Sequence, residues 1–150
     1  MSAVTMYEDF DPGRVFVHRR GRTITDADAL LFATTTHLSQ PAYFDRLEAR
    51  RGGNEVLPVS PYLLLAVVIG LSVEDLSESG GPFLGADDIR FGDPVPVGST
   101  IEAASRVVMR RESGKRPGWG IVEWETVGAV GEQEVVRFRR TSLVRKKDAS

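Results

Sequence analysis

Hydrophobic and polar positions change rhythm along this chain, from helical spacing in the first half to strict alternation in the second. Ile101, Ala103, Val107 and Met109 alternate with Glu102, Ala104, Arg106 and Arg110. Val122, Trp124 and Thr126 alternate with Glu123, Glu125 and Val127, and Val136 and Phe138 with Arg137 and Arg139, continuing to Val144. A period of two marks half-buried strands. Gly131-Glu132-Gln133 predicts the turn of a hairpin between the last two. Phe83-Leu84 and Ile89-Arg90-Phe91 predict one further strand, after which Pro94 and Pro96 bracket an edge or turn segment ending at Gly98. Val15-Phe16-Val17 predicts a short strand before the basic run His18-Arg19-Arg20, and Gly21 breaks it.

The helical half opens at Thr25-Asp26-Ala27-Asp28, a capped start with acids in its first turn. Ala27, Leu30, Leu31 and Thr34 follow helical spacing, and the branched residues 34–36 end it. Residues 37–45 predict a loop in which Pro41 imposes extended geometry on the residue before it. Residues 42–51 predict an amphipathic helix with Phe44 and Leu47 inward, ended by Gly52-Gly53-Asn54. The stretch 60–71 carries no charge on any face. A helix apolar all round must be wrapped by protein or lipid, and twelve residues are too few to cross a bilayer. Ser60 suits an N-cap and Pro61 the first helical position, which favours a buried helix; Val67-Val68-Ile69 would also suit a buried strand. Residues 72–81 read as a polar connector. The pattern is α+β, one domain over residues 1–150, with an antiparallel sheet curled around a central α-helix.

Composition narrows the function classes. With 41% hydrophobic and 27% charged residues the chain is ordinary globular material. Nineteen basic residues against 21 acidic ones give net charge −2, so no global field invites nucleic acid or a membrane surface. Cysteine is absent, which removes disulfides and thiolate metal sites, and two histidines cannot make a His-rich metal site. The N-terminal residues lack the basic and apolar regions of a secretory signal, so a cytoplasmic location is expected.

The chain resembles the MaoC-like hydratase/dehydratase family of hotdog-fold proteins, in the branch that includes mesaconyl-CoA hydratases. The resemblance rests on Tyr7-Glu8-Asp9-Phe10, Gly21-Arg22-Thr23-Ile24-Thr25-Asp26-Ala27-Asp28, the loop from Phe32 to Asp45, Asp88-Ile89-Arg90-Phe91, Pro94-Val95-Pro96-Val97-Gly98-Ser99-Thr100 and Phe138-Arg139-Arg140-Thr141. It implies a hotdog fold, a dimer burying one sheet edge, and acyl sites at the dimer interface. It further implies water addition to, or elimination from, a double bond conjugated to a thioester, a hydro-lyase reaction. That chemistry needs one group to move a proton at the α-carbon and another to handle the hydroxyl.

The family pattern Gly-Asp-x-Asn-Pro-x-His-x-Asp, whose first Asp and His are the acid/base pair, falls on residues 37–45. Here His37 stands for the Gly, Leu38 for the catalytic Asp, Gln40 for the Asn, Pro41 for the Pro, Tyr43 for the catalytic His and Asp45 for the last Asp. Leucine carries no proton; tyrosine does, with a pKa near 10 that suits a donor. His37 is a candidate base or a plain loop residue. Tyr43 is a candidate donor or a space-filler, and Asp45 a catalytic acid or a helix cap. Ser39 and Gln40 are expected to line the pocket or cap the loop. The start of the central helix would hold the thioester carbonyl through a backbone N–H near Ser60; Pro61 has none to give, which leaves that of Tyr62. Arg111, Lys115 and Arg116, in a basic hairpin, would hold phosphates of coenzyme A or an acidic carrier-protein surface. Trp119 and Trp124 read as packing residues. No metal or redox cofactor is needed, coenzyme A or phosphopantetheine being part of the substrate. The expected partners are an acyl-CoA or acyl-carrier-protein substrate and a second hotdog subunit, identical or not. The reading of a different class is a non-catalytic hotdog subunit that binds an acyl chain or pairs with a catalytic MaoC-like partner. Thioester hydrolysis, with Asp45 as its carboxylate, is a third.

Overall fold

Every stretch that alternates in sequence is a strand in the computed structural model, which describes residues 4–148. The strands are β1 (Val15–Val17), β2 (Arg22–Thr23), β3 (Phe83–Phe91), β4 (Thr100–Glu112), β5 (Trp119–Val130) and β6 (Gln133–Arg145). They form one antiparallel sheet in the order β1-β4-β5-β6-β3, with β2 pairing the start of β4. Val130 opposite Gln133 closes the predicted hairpin, with Gly131 at φ 57° in its turn. One face of the long strands is buried through Ile101, Ala103, Ser105 and Val107, then Val122, Trp124 and Thr126, then Val136, Phe138 and Val144. Met109 leaves this alternation because the β4–β5 register shifts between Val107 and Met109.

Three helices cover that face: α1 (Asp26–Thr35), α2 (Arg46–Arg51) and α3 (Pro61–Leu76). The uncharged stretch is the helix α3, capped by Ser60, whose Oγ accepts from the Leu63 N–H. It packs on β4 and β5 in the arrangement of a hotdog fold. It runs to Leu76 rather than stopping at residue 71, because Leu64, Val68, Ser72 and Leu76 recur every fourth residue and all face the sheet. It is not wrapped on all sides. Tyr62 is 61% exposed and Val73 is open to solvent. Gly128 of β5 leaves the room α3 needs, since a Cβ there would lie 2.5 Å from Val68 Cγ2. At the far end of α3, Leu76 joins a second apolar cluster with Phe10, Val107, Val122, Trp124 and Val144. Phe10 meets Trp124 edge-on, with centroids 5.1 Å apart.

The two shorter helices differ from their predicted faces. In α1 the buried residues are Ala29 and Ala33, while Leu31 is 66% exposed and Ala27 and Leu30 also face solvent. Residues 41–43 form a separate 3-10 turn, so α2 begins only at Arg46, and its buried residue is Ala49 rather than Leu47. Phe44 and Leu47 are exposed. The start of α1 is as predicted: Thr25 Oγ1 accepts from the Asp28 N–H, and the Asp28 carboxylate accepts from the Thr25 N–H at 2.8 Å.

Candidate active site

Three segments converge where α3 begins: the loop between α1 and α2, the strand end Phe91 to Val95, and the first turn of α3. They enclose a cavity of about 270 Å³ lined by Tyr43, Asn54, Pro61, Leu64, Asp93 and Val135, among others. Its walls are mostly apolar, as an acyl group requires, with the Tyr43 hydroxyl, the Asn54 amide and the Asp93 carboxylate as the polar side chains. Pro58 pairs with Pro96 and the Val59 N–H donates to the Val95 carbonyl at 2.7 Å, which pins the approach to α3 against the strand-end loop. In the first turn Pro61 has no N–H, Leu63 donates to Ser60 Oγ and Leu64 to the Ser60 carbonyl. The Tyr62 N–H is left as the first-turn donor without an acceptor among the described residues.

The loop residues divide between this cavity and a shallower hollow. Tyr43, half-buried, lines the cavity. His37, Ser39 and Gln40 line the hollow of about 490 Å³ beside it, together with Phe32 and the Tyr62 ring. His37 and Tyr43 therefore do not share one enclosure. The backbone of His37 serves the helix before it, since at φ 55° it is the left-handed residue that ends α1. Its N–H reaches back to the Thr34 carbonyl and the next N–H, of Leu38, to that of Ala33. A glycine is the usual occupant of such a position, and glycine is what the family pattern places there.

Asp45 lines neither space. Its Oδ1 accepts from the N–H of Leu47 at 2.8 Å and of Glu48 at 3.3 Å, capping α2. Of the two expected roles the Asp45 carboxylate fills that of helix cap, and the acid that does line the cavity is Asp93, held by Gln133 Nε2 at 3.1 Å. Sequence reasoning missed Asp93. Its signal was the preceding Gly92, where a Cβ would stand 2.6 Å from the Glu134 carbonyl oxygen, forcing this loop close against β6.

Arg111, Lys115 and Arg116 rim a separate hollow of about 540 Å³ floored by Pro82, Leu84, Ile121 and Leu143. Val135 lines the acyl cavity and Leu143 the basic hollow, so the two lie roughly 25 Å apart along β6. One chain does not bring them together. A Ser–His–Asp arrangement also exists, again outside the cavity. His18 Nδ1 lies 2.6 Å from Asp75 Oδ2 and Nε2 lies 2.8 Å from Ser105 Oγ, which continues to Thr126 Oγ1 at 2.8 Å. Ser105 is only 2% exposed, so no acyl group reaches it, and the chain of bonds ties α3 to β1, β4 and β5. No group of three or more metal-binding side chains exists among the described residues, and none of their helices is long and apolar enough to cross a membrane.

The fold is shared with a solved MaoC domain protein from Chloroflexus aurantiacus. That structure superposes with a TM-score of 0.90 at 29% identity over 98% of this chain and 42% of the other. A mesaconyl-CoA hydratase from Haloarcula marismortui is 39% identical over 144 residues, 95% of this chain and 40% of the relative. A beta-methylmalyl-CoA dehydratase from Chloroflexus aurantiacus is 34% identical over 99% of this chain and 43% of its own length. The chain thus spans less than half of these relatives. The family model described as mesaconyl-CoA hydratase matches residues 2–150, and the chain belongs to that family of MaoC-like hotdog proteins.

Proposed function

We propose that this chain serves the reversible hydration of an α,β-unsaturated acyl thioester, a hydro-lyase reaction. The observation that carries the reading is the apolar cavity at the start of α3, into which Tyr43, at the family's catalytic His position, projects. The acyl group lies in the cavity and the thioester carbonyl accepts from the Tyr62 N–H, where negative charge develops as water adds. Water's oxygen bonds to the β-carbon and a proton ends on the α-carbon, so no redox cofactor is consumed. Tyr43 is the group placed to give a proton and Asp93 the one placed to take it from water, while His37 stays in the neighbouring hollow.

Charge sets the substrate class. No Lys or Arg lines the cavity and Asp93 does, so an acyl group with a second carboxylate meets repulsion there. For the chain alone, crotonyl-CoA is the better substrate than mesaconyl-CoA. The coenzyme's phosphates suit the basic hollow, and strand β3 indicates how it is brought near. Phe91 at one end of β3 lines the cavity and Leu84 at the other lines the hollow. Antiparallel pairing of β3 with β3 of a second hotdog unit sets the partner's hollow beside this chain's cavity.

A second reading has its own support. Leu38 stands where the family has its acid, and His37 is committed to ending α1 outside the cavity of Tyr43. On this reading the chain is the acyl-binding half of an assembly whose second hotdog subunit supplies the Asp and His. The experiment is a hydration assay on crotonyl-CoA and mesaconyl-CoA, with the chain alone and mixed with a hotdog chain bearing the intact pair. The first reading predicts hydration of crotonyl-CoA by the chain alone, reduced about 100-fold or more in Tyr43→Phe or Asp93→Asn. Activity that survives both substitutions overturns those roles. Hydration only in the mixture supports the second reading, and none in either arm overturns both.

A further inference from the structure

Arg140 of β6 is a charge with no counter-charge. It is 3% exposed and points into the corner where α3 ends. Its Nη1 donates to Ser72 Oγ at 2.8 Å and its Nη2 to Ser77 Oγ at 2.7 Å. The guanidinium stacks near two rings, with centroids 5.7 Å away for Phe83 and 5.8 Å for Trp124. No carboxylate among the described residues pairs with it. The Asp75 carboxylate, on the same turn of α3, is bonded to His18, and Glu123, Glu125 and Arg139 project from the other face of their strands. Burial alone pushes the Arg140 pKa down, with no charge to offset it. A buried cation without a counter-charge is strongly destabilising.

The same corner holds the described residues' buried side-chain atoms without a hydrogen-bond partner. They are Arg140 Nε, Trp124 Nε1, Ser142 Oγ and Ser79 Oγ. Their positions are not scattered. Trp124 and Arg140 are register partners on β5 and β6, Ser142 follows two residues along the same face of β6, and Phe83 is the β3 partner of Ser142. Ser79 lies in the connection from Ser77 to Phe83, both of which contact Arg140. Arg Nε and Trp Nε1 can only donate, and each hydroxyl can turn to donate. What satisfies such a group is an acceptor, and what neutralises Arg140 is a negative charge. The four unpaired atoms line neither the acyl cavity nor the basic hollow and are shut off from solvent, so what fits among them is no larger than a single small ion.

From this we infer a buried site for one small monovalent anion, of halide size, held by Arg140 with Trp124, Ser142 and Ser79. The ion clamps the end of α3 to β5 and β6, so it acts on stability and not on the acyl cavity. It is a structural ligand of the fold, and the inference does not depend on the function proposed above.

The test uses the full chain in sodium chloride or sodium gluconate at equal ionic strength, followed by thermal unfolding. Binding to the folded state alone raises the melting midpoint in a saturable way with chloride, and gluconate, too large to enter, does not. Trp124→Phe keeps the ring and removes one donor, and Ser142→Ala removes another. Each is expected to raise the half-saturating chloride about tenfold. Bromide in crystals would give an anomalous peak within hydrogen-bond reach of Arg140 Nε. Identical midpoints in the two salts, half-saturation unmoved by both substitutions, or water density at Arg140 Nε in the bromide crystals would each overturn the site. Arg140→Met abolishes the chloride dependence if it folds; the two milder variants decide the matter if it does not.

Discussion

Asp45 offers a clean separation between holding a helix and moving a proton. Asparagine caps a helix about as well as aspartate, so Asp45→Asn is expected to leave stability within a few tenths of a kcal/mol, while Asp45→Ala costs about 1 kcal/mol. Urea unfolding of the two variants checks this, and a loss of hydration in Asp45→Asn without loss of stability would return the residue to the chemistry. Asp28 makes a prediction about pH. The Thr25 N–H and hydroxyl, with Arg22 beside them, hold its carboxyl below the usual carboxylate range. A pKa lowered by folding means the contribution is complete above the unfolded value, near 3.9, and is lost as pH falls through the folded value. Asp28→Asn should therefore be less stable than the parent at pH 7, with the difference shrinking as pH falls through the folded value, read by denaturant midpoints across pH. His37 needs care in any substitution, because its left-handed backbone strains alanine; His37→Asn removes the imidazole while keeping a residue that tolerates this conformation.

The three long strands β4, β5 and β6 were legible because each buries one face, and the period of two survives wherever water lies on the other. The central helix was legible at its start, where Ser60 and Pro61 mark the cap, and illegible at its end. Ser72, Glu74 and Asp75 look like a connector in sequence, yet Ser72 is fully buried and donates to the Ile69 carbonyl, and Asp75 is bound by His18. The bond between His18 and Asp75 joins residues 57 positions apart, and the bond from Arg140 to Ser72 spans 68, beyond the reach of any local pattern. The candidate loop reaches the cavity only through Ala42 and Tyr43, and which of its side chains enter depends on the separate turn at Pro41–Tyr43. Phe44, Leu47, Leu30 and Leu31 misled for another reason. They are spaced as core residues are, but they face outward, as apolar residues at an interaction surface do. The seat of α3 on the sheet gives the test at this level. Gly128→Ala presses a methyl group into Val68 and should cost about 1–3 kcal/mol, whereas Gly114→Ala, with open space around it, should leave the urea midpoint unchanged.

Among the described residues a long strand at the edge of the sheet offers a surface for pairing. β3 is the edge of the sheet, and Phe83, Leu84, Ile89 and Phe91 stand exposed along it. Asp87 is followed by a register shift against β6, with Asp88 at φ 51°, a kink in mid-strand that divides the edge in two. A second hotdog unit paired there would bury those four side chains and join the acyl cavity to a basic hollow. Ile89→Lys is expected to shift the chain to the monomer in analytical ultracentrifugation with its helical signal intact; an unchanged sedimentation coefficient would place the interface elsewhere. The open edge also bears on how the protein is obtained. The inner backbone groups of its nine residues pair with β6, while the outward ones are open to an extended segment nearby, and the strand is greasy at both tips. A chain whose edge stays unpaired is expected to collect in inclusion bodies, and one whose edge is covered by a second hotdog unit, a second copy included, to stay in the clear lysate.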